Sequence, residues 1–340
     1  MSSRTALVTG ASGYLGSHLL GALPARGWDV RASGRRPRPE GLDDAVDYRS
    51  ADLAGDDDLR PLVDGVSHVF HLAGASSTFS DDEEMQRTNV VGTGRLVAAA
   101  QAAGVDRFVH MSSTSVYGEE EQLPIPVRED VEPHPSRWYG KAKWGAEQKV
   151  WAAGDEGLAV VVLRPVSVYG PGAVKLVASA ALDVAIERRA GLEAVAIACE
   201  PIEQRLLHVD DLIDATMYLA GNETAVGRAF NLTSGVYPTS LEVAEILAEE
   251  FGMGMELADD ADCGLQGDER AATREAMLAD GMTDDIVFTS QRFRFMANAN
   301  RNNRLALDAL ESTGFRLGHT DTRAGIAATV AWYREHRWLL

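Results

Sequence analysis

The sequence is poor in cysteine and in basic residues. Cys199 and Cys263 are its two cysteines among 340 residues, and they form neither the spacing of a metal site nor a disulfide framework. We interpret them as free thiols in a reducing compartment. The 32 Lys and Arg residues are outnumbered by 51 Asp and Glu residues, for a formal net charge of −19. Such an acidic surface repels phosphate backbones and anionic lipids, so we expect no nucleic-acid or membrane partner.

Long apolar runs are also missing. The N-terminal segment MSSRTALVTG has no apolar stretch of the signal-peptide type, and no run reaches membrane-spanning length. Hydrophobic residues make up 45% of the chain, the ordinary level of a globular protein. We therefore expect a cytoplasmic protein whose length allows two domains, or one α/β domain with an added lobe.

Short apolar runs alternate with helical stretches in the first half of the chain. The patterns predict strands at 5–8, 29–33, 68–72, 107–111 and 158–163, and helices at 15–25, 96–103 and 137–153, the last closed by Gly154. This alternation predicts an α/β fold built on a Rossmann-like, doubly wound parallel sheet. Ligands of such sheets bind at the carboxyl ends of the strands.

After residue 165 the pattern loosens. It predicts helices at 176–189, 211–220, 241–251, 269–278 and 322–336, and strands at 206–209, 228–232 and 288–296. We expect a dinucleotide-binding domain at 1–173, to which 205–235 return, and a smaller C-terminal α/β substrate-binding lobe at 174–204 and 236–340. The acidic stretch 252–285 is interpreted as a solvated insertion or flexible cover.

A glycine loop, TGASGYLG at 9–16, lies between the first predicted strand and the first predicted helix. Gly10 permits a tight turn, Gly13 lets backbone N–H groups approach a pyrophosphate, and Gly16 allows close packing of helix on strand. The helix N-terminus adds positive partial charge. This context predicts a dinucleotide site rather than a plain strand-to-helix turn. We expect cofactor contacts from Gly10, Ser12, Gly13, Tyr14, Leu15 and Gly16.

The end of the second strand bears on the choice of cofactor. NAD sites place a carboxylate there to bind the ribose 2′-hydroxyl. Here Ser33, Arg35 and Arg36 occupy the tip, and they suit a 2′-phosphate. The sequence therefore favours NADP, with NAD as the alternative and a solvated basic loop as the non-functional explanation. Asp52 and Leu53 follow a short strand and are expected to cap the adenine ring.

Tyr139 and Lys143 lie one helical turn apart on the same face of a predicted helix. A tyrosine titrates near pH 10, which is about three pH units too high for a base at neutral pH. A lysine ammonium beside the phenol favours the phenolate. Tyr139 would then exchange a proton with a substrate alcohol or ketone while hydride moves to or from a nicotinamide. Ser112, Ser113 and Thr114 follow the strand at 107–111, which places a hydroxyl at the same sheet edge.

Several motifs occur in one order along the chain. After the glycine loop come HLAG at 71–74, NVVGT at 89–93, SSTSVYG at 112–118, YGKAK at 139–143, RPVSVYGPG at 164–172 and HVDDL at 208–212. With these motifs the sequence resembles the extended short-chain dehydrogenase/reductases, the NAD(P)-dependent nucleotide-sugar epimerase/dehydratase family. The resemblance covers about residues 4–250.

The resemblance implies roles for individual residues. Tyr139 would be the acid/base, Lys143 its partner and a nicotinamide-ribose ligand, and Ser113 the hydroxyl that holds the reacting oxygen, with Thr114 as a substitute. His71, His208 and Tyr117 would be structural. The remaining implied cofactor contacts are Ala73, Gly74, Asn89 and Pro165.

Three departures from the family pattern affect the substrate. Thr114 and Ser115 stand where dehydratases usually carry an acidic residue, so elimination lacks its usual general acid. Ser167 replaces the Asn that would touch a diphosphate, and residues 204–207 read QRLL where R-D-F is usual. Arg205 and Arg304 remain candidates for anion contacts, with a surface salt bridge as the alternative for each. The expected substrate residues are Ser113, Thr114, Ser167, Arg205 and Arg304.

The function expected from these features is an NAD(P)-dependent epimerase or oxidoreductase. It would act by hydride transfer on a secondary hydroxyl or ketone of a sugar or nucleotide-sugar-like small molecule. The alternatives are a net NADP-dependent ketone reductase or alcohol dehydrogenase of a non-nucleotide substrate, a dehydratase, and a non-catalytic dinucleotide sensor. A sensor typically loses the tyrosine–lysine pair, which is present here. The resemblance also suggests a homodimer through the helices at 96–103 and 137–153, and no metal is expected.

Overall fold

A computed structural model describes residues 4–76, 80–118, 123–198, 201–259, 263–289, 293 and 304–340. The chain forms two compact units. The first unit comprises Met1–Val166, Asp211–Leu232 and Leu305–Arg316, and the second comprises Ser167–Asp210, Thr233–Arg304 and Leu317–Leu340. No helix in the described ranges is long and apolar enough to cross a membrane. Cys199 lies outside the described residues.

The strands follow the apolar runs of the sequence. In chain order they are β1 (Arg4–Thr9), β2 (Trp28–Gly34), β3 (Asp47–Ser50), β4 (His68–His71), β5 (Arg107–Met111), β6 (Val160–Pro165), β7 (Ser167–Tyr169), β8 (Ala194–Ile197), β9 (Leu206–His208), β10 (Arg228–Leu232) and β11 (Gly254–Leu257). The predicted strands of the first half are confirmed as β1, β2, β4, β5 and β6, with ends that differ by at most two residues.

The helices connect these strands or follow the last of them. They are α1 (Tyr14–Ala22), α2 (Arg60–Val63), α3 (Asp82–Met85), α4 (Gly92–Ala102), α5 (Trp138–Asp155), α6 (Val177–Arg189), α7 (Val209–Ala220), α8 (Ser240–Glu250), α9 (Gly267–Ala279), α10 (Asp308–Glu311) and α11 (Thr322–Glu335). We predicted that α5 ends at Gly154, but the helix continues to Asp155. Gly157 terminates it, because this residue takes the left-handed conformation (φ +102°) and its N–H donates to the Gly154 carbonyl.

The first unit is built on a seven-stranded sheet in the order β10-β6-β5-β4-β1-β2-β3. Its neighbouring strands are all parallel. The strand order reverses between β1 and β4, and ligands bind at such a reversal. The predicted Rossmann-like, doubly wound parallel sheet is therefore confirmed.

Apolar side chains of the sheet and of helices α2, α4 and α5 form a core in the first unit. Val69, Phe108 and Val162 on the strands are fully buried against Leu96 of α4 and Val150 of α5. Each such side chain stabilises the fold by about 1.5–3 kcal/mol. This packing fixes α5 against the middle of the sheet, and α5 carries the predicted catalytic tyrosine and lysine.

The second unit has its own core around α6, which is buried on nearly every side. Two short parallel ladders, β7–β9 and β8–β11, accompany its helices. The interpretation of 252–285 as a solvated insertion was wrong. This stretch contains β11 and α9, because Leu265, Met277 and Met282 bury their side chains in the core. Of the predicted strand 288–296, residues 288, 289 and 293 are described and none is in a strand.

Candidate cofactor and active site

The glycine loop joins β1 to α1 in the geometry that a pyrophosphate requires. Gly10 has φ +69°, and a Cβ atom there would lie 2.7 Å from the backbone nitrogen of Ala73. A Cβ on Gly16 would collide with the Gly10 carbonyl oxygen. Gly13 is the N-cap of α1, and a glycine has no side chain with which to cap the first turn. The N-terminus of α1 therefore points its positive partial charge at the loop, and the loop fits a dinucleotide.

The remaining loop residues line the same turn. Ser12 is exposed, and Tyr14 and Leu15 are half-buried at the start of α1. A Cβ on Gly34 would lie 3.7 Å from the Ser12 Oγ. The end of β2, where a dinucleotide's adenine ribose binds, is thus adjacent to the glycine loop.

The tip of β2 carries the two predicted phosphate-binding arginines, and both are exposed. The Arg35 Nη1 lies 2.7 Å from Glu84 Oε1, and this pairing lowers the pKa of Glu84. The Arg36 carbonyl accepts a hydrogen bond of 2.7 Å from the Tyr48 hydroxyl. The Ser33 hydroxyl is buried without a hydrogen-bond partner in the described structure. A 2′-phosphate at Arg35 would compete with the Glu84 carboxylate.

Asp52 and Leu53 follow β3, as predicted. The Asp52 carboxylate accepts a hydrogen bond from the Ala54 N–H at 3.0 Å and lies 3.4 Å from Arg87 Nη1. Leu53 is buried in the core of the first unit. The structure thus gives Asp52 partners within the protein, and its contact with an adenine ring stays a prediction.

The loop after β4 carries Ala73 and Gly74 next to the predicted catalytic lysine. A Cβ on Gly74 would lie 3.1 Å from Asn89 Oδ1 and 3.2 Å from Lys143 Nζ. The Asn89 amide accepts from the Ala75 N–H at 2.7 Å and donates to the Ala75 carbonyl at 3.0 Å. Asn89 lies in a π-helical turn, Gln86–Val91, a feature frequent at functional sites. Its side chain holds this loop in place, a role that the motif analysis missed.

Ser113, Tyr139 and Lys143 come together where β5 ends. Tyr139 is in the first turn of α5, and its hydroxyl is hydrogen-bonded to the Ser113 side chain. The buried Lys143 donates from Nζ to the Met111 carbonyl at 2.9 Å and lies 5.9 Å from the centroid of the Tyr139 ring. The structure therefore brings the three predicted catalytic residues into one cluster.

Burial dominates the protonation of this cluster. It raises the pKa of Tyr139, an effect that the hydrogen bond to Ser113 partly offsets. Burial also lowers the pKa of Lys143 to about 8, while the Glu147 carboxylate acts in the opposite direction. The expected net lowering of the Tyr139 pKa is therefore not present in the protein alone, because desolvation disfavours the phenolate.

The predicted substrate residues are distributed over both units. In the first unit, Thr114 is buried and its hydroxyl donates to the Pro165 carbonyl at 3.3 Å, which indicates a structural role. In the second unit, Ser167 is exposed at the start of β7 and Arg205 is half-buried before β9. Arg304 is exposed, pairs with Glu203 and lies 5.5 Å over the Tyr237 ring. Arg304 thus forms a salt bridge with Glu203, which was the alternative to an anion contact.

The two histidines that could be mistaken for bases in the first unit are His71 and His110. The His71 ring nitrogens lie 2.7 Å from Thr9 Oγ1 and 2.8 Å from Thr93 Oγ1, and burial lowers its pKa to about 3. The His110 ring is 5.4 Å from that of His71. Burial lowers its pKa well below the usual range, and both of its nitrogens lack a partner among the described residues. Both histidines are therefore neutral structural residues.

This burial predicts an acid-sensitive fold. Below about pH 6.5 the unfolded chain binds protons on these histidines that the folded chain cannot bind. The free energy of unfolding therefore decreases as the pH is lowered. We expect His110→Leu to reduce the slope of unfolding free energy against pH by about 1.4 kcal/mol per unit between about pH 6 and pH 4.5. Urea titrations at several pH values measure it, with the exposed His134→Leu as control. A slope equal to the wild-type slope in His110→Leu would show that His110 is not a neutral buried group.

His208 at the end of β9 belongs to the second unit. Its buried ring is edge-on to Tyr169 and is stacked at 4.3 Å and 16° on His319, with the Asp210 carboxylate 3.6 Å from its Nδ1. The candidate ligand atoms of His208, Asp210 and His319 all lie within 4.8 Å of one another. A metal ion lies in the plane of each imidazole that binds it, and two parallel stacked rings do not converge on one ion. This arrangement supports packing, as expected for His208, rather than metal binding.

Comparison with known proteins is consistent with this site. A model described as the NAD dependent epimerase/dehydratase family matches residues 6–233. GDP-6-deoxy-D-mannose reductase of Pseudomonas aeruginosa is 31% identical over 262 residues, which are 74% of this chain and 82% of that protein. The solved structure of MoeE5 in complex with UDP-glucose and NAD is 28% identical, with a TM-score of 0.74 over 98% of this chain and 99% of that one.

A third relative is similar over the first half of the chain. The 2-alkyl-3-oxoalkanoate reductase of Stenotrophomonas maltophilia is 35% identical over 181 residues, which are 50% of this chain and 53% of that protein. The shared part thus spans about half the length of each protein.

Proposed function

The chain belongs to the NAD-dependent epimerase/dehydratase family and is an NAD(P)-dependent enzyme of the short-chain dehydrogenase/reductase type, and from that premise we propose that it epimerises a nucleotide sugar at a secondary hydroxyl. The observation that carries the proposal is the cluster of Ser113, Tyr139 and Lys143 at the end of β5. The close approaches of Gly10 to Ala73 and of Gly74 to Lys143 connect this cluster to the glycine loop.

The proposed chemistry divides the work among three side chains. Ser113 holds the substrate oxygen. Tyr139 acts as the phenolate, formed by loss of its proton to solvent, and becomes the neutral phenol when it takes the alcohol proton. Lys143 is mostly protonated at neutral pH, with its pKa of about 8, and its ammonium stabilises the phenolate before that transfer. A bound nicotinamide supplies the hydride acceptor and donor. For epimerisation, Tyr139 then returns the proton to the oxygen of the inverted centre.

The names of the relatives support a nucleotide-sugar substrate. Two of the proteins that this chain matches over most of their length are described with GDP-6-deoxy-D-mannose and with UDP-glucose. We place the dinucleotide in the first unit, where the glycine loop lies, and the reacting carbon of the sugar at Ser113, Tyr139 and Lys143 in the same unit. Substrate contacts from Ser167 and Arg205 stay predictions.

Thr114 stands where dehydratases usually carry an acidic residue, and its hydroxyl donates to the Pro165 carbonyl. Because this hydroxyl already has a partner and is not a carboxylic acid, we favour epimerisation over dehydration.

A net reductase is the second candidate, because two of the similar proteins are described as reductases. Product analysis with a panel of UDP- and GDP-sugars, and their 4-keto forms, tests both. An epimerase converts a sugar without net consumption of added NAD(P)H, whereas a reductase consumes one equivalent for each product molecule. Tight dinucleotide binding with no turnover of any such sugar or ketone would contradict both and favour a sensor.

The Arg35→Asp variant tests the proposed preference for NADP. A hydrogen bond between charged groups is worth about 1.5–3 kcal/mol, so loss of Arg35 should weaken NADPH binding at least about tenfold. NADH binding should change little, because NADH has no 2′-phosphate. Fluorescence titration of the bound nicotinamide measures both affinities, and Arg60→Asp, at an exposed arginine paired with Asp58, is the control. An equal loss for the two cofactors would show that Arg35 does not bind a 2′-phosphate.

A further inference from the structure

Three successive turns of α5 each hold one residue at the end of β5. Tyr139 is hydrogen-bonded to Ser113, Lys143 donates to the Met111 carbonyl, and Glu147 accepts from the Ser112 hydroxyl. The three helix residues are four positions apart and therefore share one face. Resting on the proposed function, we propose that Glu147 is a positioning residue of the active site: it fixes the end of β5 against α5 and provides Lys143 with its counter-charge.

The Glu147 side chain is held rigidly. It is fully buried, and Arg164, 3% exposed, binds it with Nε to Oε1 at 3.0 Å and Nη2 to Oε2 at 2.7 Å. This two-pronged pairing fixes both carboxylate oxygens. The Ser112 hydroxyl that donates to Oε1 is therefore bound to a stationary acceptor. Because Ser112 lies between Met111 and Ser113, its anchoring sets where the Ser113 hydroxyl stands relative to Tyr139.

The charge of Glu147 also acts on Lys143. The titratable groups that face the Lys143 ammonium are Tyr139 and Glu147 on α5, His71 on β4 and His110 on β5. Both histidines are neutral and burial raises the pKa of Tyr139, so Glu147 is the anion that stabilises the ammonium. Removing its charge would leave the buried Lys143 ammonium without this carboxylate and Arg164 without its two-pronged partner.

The Glu147→Gln variant tests the counter-charge. The readout is the pH at which the Lys143 amine becomes reactive toward an acylating reagent, followed by peptide mass spectrometry. We expect the midpoint to fall by at least about one pH unit, since loss of a nearby opposite charge shifts a pKa by this amount. Glu156→Gln, the same change at the exposed end of α5, should leave it unchanged. In Glu147→Gln/Arg164→Gln, which removes one charge of each sign, the midpoint should return toward the wild-type value.

The Ser112→Ala variant tests the positioning and covers the case in which Glu147→Gln does not fold. It removes one hydroxyl and keeps the buried pair. We expect kcat to fall about tenfold or more with little change in KM, because small displacements of a reacting group cost this much, and we expect the Lys143 midpoint to stay at its wild-type value. A wild-type kcat in Ser112→Ala would overturn the positioning role.

If Glu147→Gln folds and its Lys143 amine becomes reactive at the same pH as in the wild type, Glu147 does not supply the counter-charge of Lys143. If Glu147→Gln does not fold, the double variant is compared with Arg164→Gln, so that only the Glu147 charge differs. The Lys143 midpoint should be at least about one pH unit lower in the double variant, and equal midpoints would overturn the counter-charge. The amine titration requires no substrate. Failure of the proposed function would show as absence of turnover in the wild type and would leave this measurement intact.

Discussion

Replacing Tyr139 by Phe is expected to lower kcat by about 10²- to 10⁴-fold while dinucleotide binding and the fold are retained. The change removes the one oxygen that is hydrogen-bonded to Ser113 and keeps the ring beside Lys143. Without that oxygen no group in the cluster of Ser113, Tyr139 and Lys143 can take the alcohol proton at neutral pH. Steady-state turnover of whichever nucleotide sugar is a substrate, with cofactor titration and thermal unfolding, measures the effect.

Tyr218→Phe is the matched control for this prediction. Tyr218 is an exposed tyrosine on α7 whose hydroxyl donates to the Thr313 carbonyl at 2.6 Å, and it lies outside the cluster. Its loss should leave kcat within about twofold, because a surface substitution of this kind rarely costs more than about 0.5 kcal/mol. Turnover by Tyr139→Phe at the rate of the control would show that the acid/base is another residue.

Replacing Arg164 by Met is expected to lower the free energy of unfolding by about 3–5 kcal/mol, since it leaves a buried carboxylate without its partner. Besides Glu147, Arg164 binds the Tyr117 hydroxyl at 2.9 Å and the Glu129 carbonyl at 3.1 Å. The Tyr117 hydroxyl in turn donates to Asn231 on β10 at 2.7 Å. Arg164 therefore joins α5 and β6 to residues distant in the sequence, and urea denaturation measures the loss.

The same substitution at Arg128 is the control. Arg128 pairs with Asp308 at 2.5 Å, but their side chains are 54% and 66% exposed. Exposed pairs contribute about 0–1 kcal/mol, so Arg128→Met should change stability by no more than this. A cost for Arg164→Met as small as that for Arg128→Met would show that the buried network does not stabilise the first unit.

Regular patterns made the framework predictable from the sequence. Strands such as β1 and β5 are short apolar runs bounded by turns, and α1 and α5 carry helical spacing, so the alternation specified the parallel sheet. The glycine loop and the tyrosine–lysine spacing are local features as well. The resemblance to the short-chain dehydrogenase/reductase family, based on motifs in order, is confirmed by the family match over residues 6–233.

Features that depend on tertiary contacts were not predictable. The strands β8 and β11 were not predicted, and in the structure they pair with each other as a two-stranded parallel ladder. The burial that raises the pKa of Tyr139 is a property of the folded cluster and has no signature in YGKAK. Glu147 had one available signal, its position four residues after Lys143, but its pairing with Arg164 needed the structure.

We propose that this chain exchanges hydride with a nucleotide sugar by means of Tyr139 and Lys143. The most direct test is a single-turnover experiment in which UDP- and GDP-sugars are mixed with wild-type protein carrying NAD⁺ or NADP⁺, and the near-ultraviolet absorbance of reduced nicotinamide is followed. We predict that at least one sugar produces reduced nicotinamide, up to one equivalent per chain, and that Tyr139→Phe does not. Bound dinucleotide that no nucleotide sugar reduces would contradict the proposed hydride exchange.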